Sequence, residues 1–132
     1  MLLRECIGQE LRLRQARNPR YSLRSFARDL GVHHATLSRL LRGARAETRT
    51  VVAIGTRLGL GPADLRACLS AEHVDAVSYA ITRDDFHADS RWLAVVTGVQ
   101  LDDVNIVLQQ LLQSRRLRMT SATEWRLEGV PR

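Results

Sequence analysis

The sequence predicts a mainly α protein that closes with a short β-hairpin. Three observations lead there. Apolar residues recur at helical spacing up to about residue 114, and the period then drops to two. Gly31, Gly43, Gly59, Gly61-Pro62 and Gly98 punctuate the periodic segments. Of the 132 residues 45% are hydrophobic but only 5% aromatic, which suits small helical units with aliphatic cores and excludes global disorder. The length allows one domain or two small ones. The pattern divides into residues 1–69 and residues 70–132.

The first helix is expected over residues 2–17. Leu3, Ile7 and Leu11 repeat at i, i+4, i+8, with Cys6 and Leu13 beside them. Asn18-Pro19 ends it, because the residue before proline is pushed out of helical geometry. Ser22 is a good N-cap for a second helix over about 23–30. Leu23, Phe26, Ala27 and Leu30 form its inner face, and Gly31 supplies a left-handed stop. A third helix runs over about 34–42 with Leu37, Leu40 and Leu41 inward, closed by Gly43.

Thr48 is the expected cap of a fourth helix that carries Val51, Ile54 and Leu58 on one face. Pro62 opens a short fifth helix with Leu65, Cys68 and Leu69 inside. Ser70 is then expected to cap a separate connecting helix, to about residue 82, with Val74, Val77 and Ile81 on one side. After the acidic loop Asp84-Asp85-Phe86-His87 come a helix near 90–97 (Trp92, Leu93, Val96) and a longer one near 102–114 (Val104, Val107, Leu108, Leu111). Leu117 and Met119 alternate with Arg116 and Arg118; Trp125 and Leu127 alternate with Glu124, Arg126 and Glu128. Helix, turn, helix, hairpin is a winged-helix-like layout.

All 20 basic residues are Arg. A high-GC genome accounts for that choice, but the guanidinium fork still matches phosphates and guanine edges. Charge is uneven. Residues 1–69 hold 13 Arg against 5 acidic groups, a net of +8; residues 70–132 hold 7 against 9, a net of −2. The first half is therefore the one that suits a polyanion.

Two short helices joined by a glycine turn can place the second helix in the major groove while the first crosses the backbone. With the leucines inward, His33, His34, Ala35, Thr36, Ser38 and Arg39 are left outward or sideways. Arg39 suits a bidentate guanine contact, His34 a base edge, and Ala35 and the Thr36 methyl a thymine methyl; Ser38 completes the base-contacting set. His33, Arg42, Arg45 and Arg49, with Arg20 and Arg24 near the crossing helix, suit phosphate. The ordinary alternative is a helical domain with a solvated arginine face.

The segment LRSFARDLGVHHATLSRLLRG resembles the Cro/repressor-type helix-turn-helix family. The resemblance covers about residues 2–69 and implies a five-helix DNA-binding domain. It makes Ala27 the small residue at the helix crossing, Gly31 the turn, Val32 and Leu37 core, and Gly43 the close of the recognition helix. The positions matching the family's base-contacting residues are His34, Ala35 and Arg39. His33 departs from the pattern, which has Ser or Thr at the cap.

The segment DFHADSRWLAVVTGVQLDDVNIVLQQLLQSRRLRMTSATEWRLEG is similar to the C-terminal part of a group of bacterial proteins that pair a repressor-type motif with a winged-helix-like end. NPRYSLRSFARDLGV resembles the same group's N-terminal half. Members with this layout are longer in the middle, so this chain would be a compact version. The second helix pair exposes Asn105, Gln109 and Gln113 but begins Asp102-Asp103. Those carboxylates suit the helix dipole and repel phosphate, which favours a dimerising role. Arg115, Arg116 and Arg118 are the possible wing contacts to a backbone, or else a solvated strand face. Trp92 and Trp125 are expected in the local core.

The function expected is a sequence-specific double-stranded DNA-binding transcriptional regulator, a repressor acting as a homodimer through residues 34–42. It would be cytoplasmic and nucleoid-associated, need no cofactor and catalyse nothing. The alternative is a protein-interaction adaptor whose acidic second half binds a partner, with incidental DNA affinity. No Gly-rich phosphate loop or GxSxG elbow occurs. Asp84, Asp85, Asp89 and His87 read as a solvated turn and cap rather than a metal site, and His33-His34 diverge by about 100 degrees on a helix. Cys6 and Cys68 cannot form a Cys-rich zinc site and read as two buried, reduced thiols. The N-terminus lacks an apolar signal-peptide core, and no apolar run is long enough to span a membrane.

Overall fold

A computed structural model describes residues 1–128. Among them are α1 (Leu3–Arg17), α2 (Leu23–Leu30), α3 (His34–Leu41), α4 (Thr48–Arg57), α5 (Pro62–Ile81), α6 (Ser90–Thr97) and α7 (Leu101–Gln113), then β1 (Leu117–Met119) and β2 (Trp125–Leu127). The chain is thus mainly helical with one small antiparallel sheet. It forms two compact units, Met1–Glu72 and a second from His73 onward, so the division falls within α5.

The first unit is built around Leu3, Ile7, Phe26, Ala27, Leu30, Leu37, Leu40, Val51, Ile54 and Cys68, all buried. Fully burying one such aliphatic or aromatic side chain stabilises by about 1.5–3 kcal/mol. α1 contributes only a narrow stripe. Leu3 and Ile7 are buried and Leu11 is half-buried, but Leu13, expected beside them, is 53% exposed. The N–H of Ser25 donates to Ser22 Oγ (3.1 Å), which starts α2 as expected. Gly31 stops it in the left-handed region at φ 73°, where a side chain would be strained. α4 and α5 approach through Gly55: a Cβ there would lie 2.6 Å from Leu65 Cδ1.

Three local expectations are corrected. Ser70 starts no helix; it lies inside α5, which runs unbroken from Pro62 to Ile81. No glycine or proline interrupts residues 63–81, so a serine with cap chemistry had no chain break to act on. At α4 the cap position is Glu47, not Thr48, and it makes no side-chain capping bond. Cys6 is half-buried rather than buried.

The second unit packs Ala76, Val77, Ala80, Ile81, Leu93, Val99, Val104, Val107, Leu108, Leu111 and Leu117 together. α6 begins at Asp89, whose Oδ1 accepts from the Arg91 N–H (2.9 Å), and ends at Gly98 with φ 73°. β1 and β2 pair antiparallel with Leu117 opposite Leu127 and Met119 opposite Trp125. Trp92 and Trp125 pack on this core as expected, and Phe86 joins them, with ring centroids 5.8 Å and 5.6 Å away respectively.

Candidate nucleic-acid interface

α2, the Gly31 turn and α3 set the geometry. The N–H groups of Gly31 and Val32 return to α2 carbonyls (3.1 Å to Arg28 O, 3.0 Å to Ala27 O), which satisfies the helix end and fixes the exit direction. α3 starts after His33, whose backbone is extended and whose side chain makes no capping bond. Leu37 and Leu40 are buried in the first core, where α3 packs on α2 and α1, and Leu41 is half-buried against that core.

Their burial decides which face of α3 is outward. At about 100 degrees per residue, Ala35, Arg39 and Arg42 lie away from the leucines with Ser38 beside them, and His34 falls at the edge, about 20 degrees from Leu41. His34, Ala35, Arg39 and Arg42 are exposed, and Ser38 is half-buried. Thr36 is separated from this group: it lies towards the Leu40 side and is half-buried. Of the five expected base-contacting residues, Ala35, Ser38 and Arg39 share the side away from the leucines, and His34 and Thr36 flank it.

Exposed arginines occur in α3 and in the neighbouring segments. Arg20 follows Pro19 before α2, Arg24 is in the first turn of α2, and Arg42 is the C-cap of α3. Among the described residues, Arg20, Arg24, Arg39 and Arg42 make no ion pair. Arg45 and Arg49 are exposed in and after the α3–α4 loop. Arg49 Nη2 lies 3.5 Å from Glu47 Oε2, a solvent-exposed pair too weak to hold it. Three further cations were not picked out by the sequence reading. The Arg4 guanidinium is beside Gly43, at 3.7 Å from where a Cβ would stand; Arg57 Nη1 donates to Asp29 O at 3.4 Å next to the Gly31 turn; Arg28 is exposed on α2. Arg4 and Arg57 reach these places from α1 and α4, and only the tertiary packing reveals that.

One arginine is instead structural. Arg14 Nη1 donates to Tyr21 Oη (2.9 Å) and Asp29 Oδ2 (3.2 Å), and Arg14 Nε donates to Glu10 Oε1 (3.0 Å). Its guanidinium also sits 5.1 Å from the Phe26 ring centroid. The Tyr21 and Glu10 hydrogen bonds hold Arg14 further towards its charged form. Tyr21 in turn donates to Asp29, and burial followed by that carboxylate pushes its phenol pKa up. This network ties α1 to α2 and engages Asp29 of α2 internally.

In the second unit Asn105, Gln109 and Gln113 are exposed along α7, with Asp102 and Asp103 in its first turn. Arg115, Arg116 and Arg118 are exposed; Arg118 Nε is 3.3 Å from Glu128 Oε1, and Arg115 adopts a left-handed φ of 60°. The acidic loop is engaged locally: Arg83 holds Asp85 through two bonds (2.9 and 2.7 Å), Asp89 caps α6, and the His87 ring lies tilted against Trp92 with centroids 5.5 Å apart. Among the described residues no group of three or more His, Cys, Asp or Glu side chains is placed to hold a metal ion. Nor is any described helix long and apolar enough to cross a membrane.

Comparison of the chain with protein-family models, with curated proteins and with solved structures finds no match in any of the three.

Proposed function

We propose that the protein is a sequence-specific double-stranded DNA-binding regulator without catalytic activity, and that it acts as a homodimeric repressor. One observation carries the reading: the outward side of α3 presents Ala35, Ser38 and Arg39, with His34 exposed at its edge, and exposed arginines lie in α2, at the end of α3 and in the following loop. The polar side chains of the first group can hydrogen-bond base edges, and guanidiniums can bind phosphate. The absence of ion pairs at Arg20, Arg24, Arg39 and Arg42 among the described residues leaves those guanidiniums free for a polyanion. A single motif of this size reads few base pairs, which is the physical motive for two copies on a repeated half-site.

Selection of bound duplexes from a random library, then anisotropy titration across a salt series, tests this. Arg39→Ala is expected to cost about 1–3 kcal/mol on the selected site and to relax preference at one base pair. Arg42→Ala and Arg45→Ala should weaken all duplexes alike and lower the salt slope by about one each. Selection that enriches no sequence, with Arg39→Ala inert, would favour a protein-binding adaptor instead.

A further inference from the structure

α7 covers the second core with one side and leaves the other side uncovered. Val104, Val107, Leu108 and Leu111 are buried. At about 100 degrees per residue, Asp102, Ile106, Gln109 and Gln113 fall within about 60 degrees of one another, on the side opposite those four. All of them are exposed. Ile106 is 53% exposed, and Leu112, 40% exposed, flanks the same side together with Asn105. From Val104 to Gln113 the helix carries no charge; charge is confined to its two ends. Asp102 and Asp103 stand in the first turn. Arg115 and Arg116 follow the last turn, where the Arg116 N–H donates to Leu111 O at 2.9 Å. Among the described residues none of these four charged groups forms an ion pair.

We propose that this side of α7 is the contact between two copies of the chain, which pair their α7 helices antiparallel about a two-fold axis at Gln109. Charge complementarity selects both the occupant and the direction. Asp102 lies seven positions before Gln109 and Arg116 seven positions after it. Reversing one helix on the other therefore sets the carboxylate end of each copy level with the arginine end of its mate, twice over. A parallel pair would set carboxylates on carboxylates and arginines on arginines. Between the ends, pairing removes Ile106 and Leu112 from water. It also brings two Gln109 amides, each a donor and an acceptor, together on the axis.

A duplex fits the same side less well. Its amides could read base edges, but Asp102 and Asp103 at its start repel phosphate. A single helix pair is small beside the roughly 1,200–2,000 Å² of a stable complex, so the association is reversible and concentration-dependent. Two exposed charge pairs contribute to it, so salt weakens it. The inference deepens the homodimer reading above and rests on it, whereas it needs no DNA.

Sedimentation equilibrium of the full chain over a wide concentration range tests this. The wild type should show a reversible monomer–dimer equilibrium. Asp102→Arg and Arg116→Asp should each weaken it about tenfold or more, because each sets like charges together. An equimolar mixture of the two variants should recover the wild-type association as a heterodimer, which misfolded chains would not do. Gln109→Cys should crosslink to its own counterpart under mild oxidation, with the bridge between position 109 of two chains in a non-reduced peptide map. A wild type that stays monomeric, variants that dimerise as it does, or a mixture that stays monomeric would each overturn the proposal. So would a Gln109→Ala variant that loses duplex affinity while self-association is unchanged, which would assign this side to the DNA groove. A dimer with the expected charge dependence and no enriched duplex would sink the DNA reading alone.

Discussion

Burial governs the chemistry of Cys68. Its surroundings withhold water from the thiolate, and its pKa is pushed up from 9.0 to about 11, chiefly by desolvation and then by Cys6 and Glu72. An acid whose folded pKa is raised binds its proton more tightly in the folded state. The stability it contributes is fully present below about pH 9 and is lost as pH rises towards about 11. Carboxamidomethylation of a Cys6→Ser variant checks this. The native rate should still climb about tenfold per pH unit beyond pH 9, as the thiolate fraction does, while the urea-unfolded chain levels off. A native plateau at or below pH 9 would show that the thiol is not desolvated. Residue-scale features differ in how far the sequence announced them. Gly31 was legible, because a glycine after Leu30 and before a second apolar stripe has one economical reading. Arg115 was not: its left-handed φ of 60° arises where α7 ends and Arg116 N–H turns back to Leu111 O (2.9 Å), and an arginine carries no signal for that.

Helix periodicity served well where an element keeps one buried face. The starts of α2 and α6, and the hairpin partners, follow from local chemistry that the sequence displays. Residues 62–81 form one helix and not two because Ser70 carries cap chemistry but no breaker accompanies it. The outward side of α3 was legible from three leucines, and the same spacing sets Thr36 about 40 degrees from Leu40, where it is half-buried. Capping of α1 was not legible at all. Its cap residue, Leu2, offers no side-chain acceptor, and the Leu3 N–H instead donates to Glu72 Oε1 at 2.6 Å. A carboxylate from α5 thus does the work of an N-cap across a long stretch of chain, and its charge also complements the α1 dipole. Glu72→Ala should therefore destabilise the first unit by about 1 kcal/mol, within the usual range for a lost cap. Glu72→Gln should restore part of that, since an amide oxygen still accepts but brings no charge. Urea denaturation of the three proteins measures the series; equal midpoints would mean that the bond contributes nothing.

At the scale of the molecule, the two hydrophobic clusters share no residue, and the charge is divided in the same place as the cores. α5 nevertheless runs through the boundary without a break, giving Cys68 to the first core and Ala76, Val77, Ala80 and Ile81 to the second. Two cores on one continuous helix can unfold as separate units or as one. If the second unit serves dimerisation, damage to it should weaken binding to paired half-sites and spare binding to a single one. Leu93→Ala separates the possibilities. Leu93 is fully buried at the centre of the second cluster, and such a truncation costs about 2–5 kcal/mol. With separate cores, amide hydrogen exchange should accelerate in α6, α7 and the hairpin and in the last two turns of α5, while α1 to α4 keep wild-type protection. The same variant should keep its affinity for an isolated half-site. Uniform acceleration from α1 to β2 would instead make the whole chain one cooperative unit, with α5 as the strut that transmits unfolding from one core to the other.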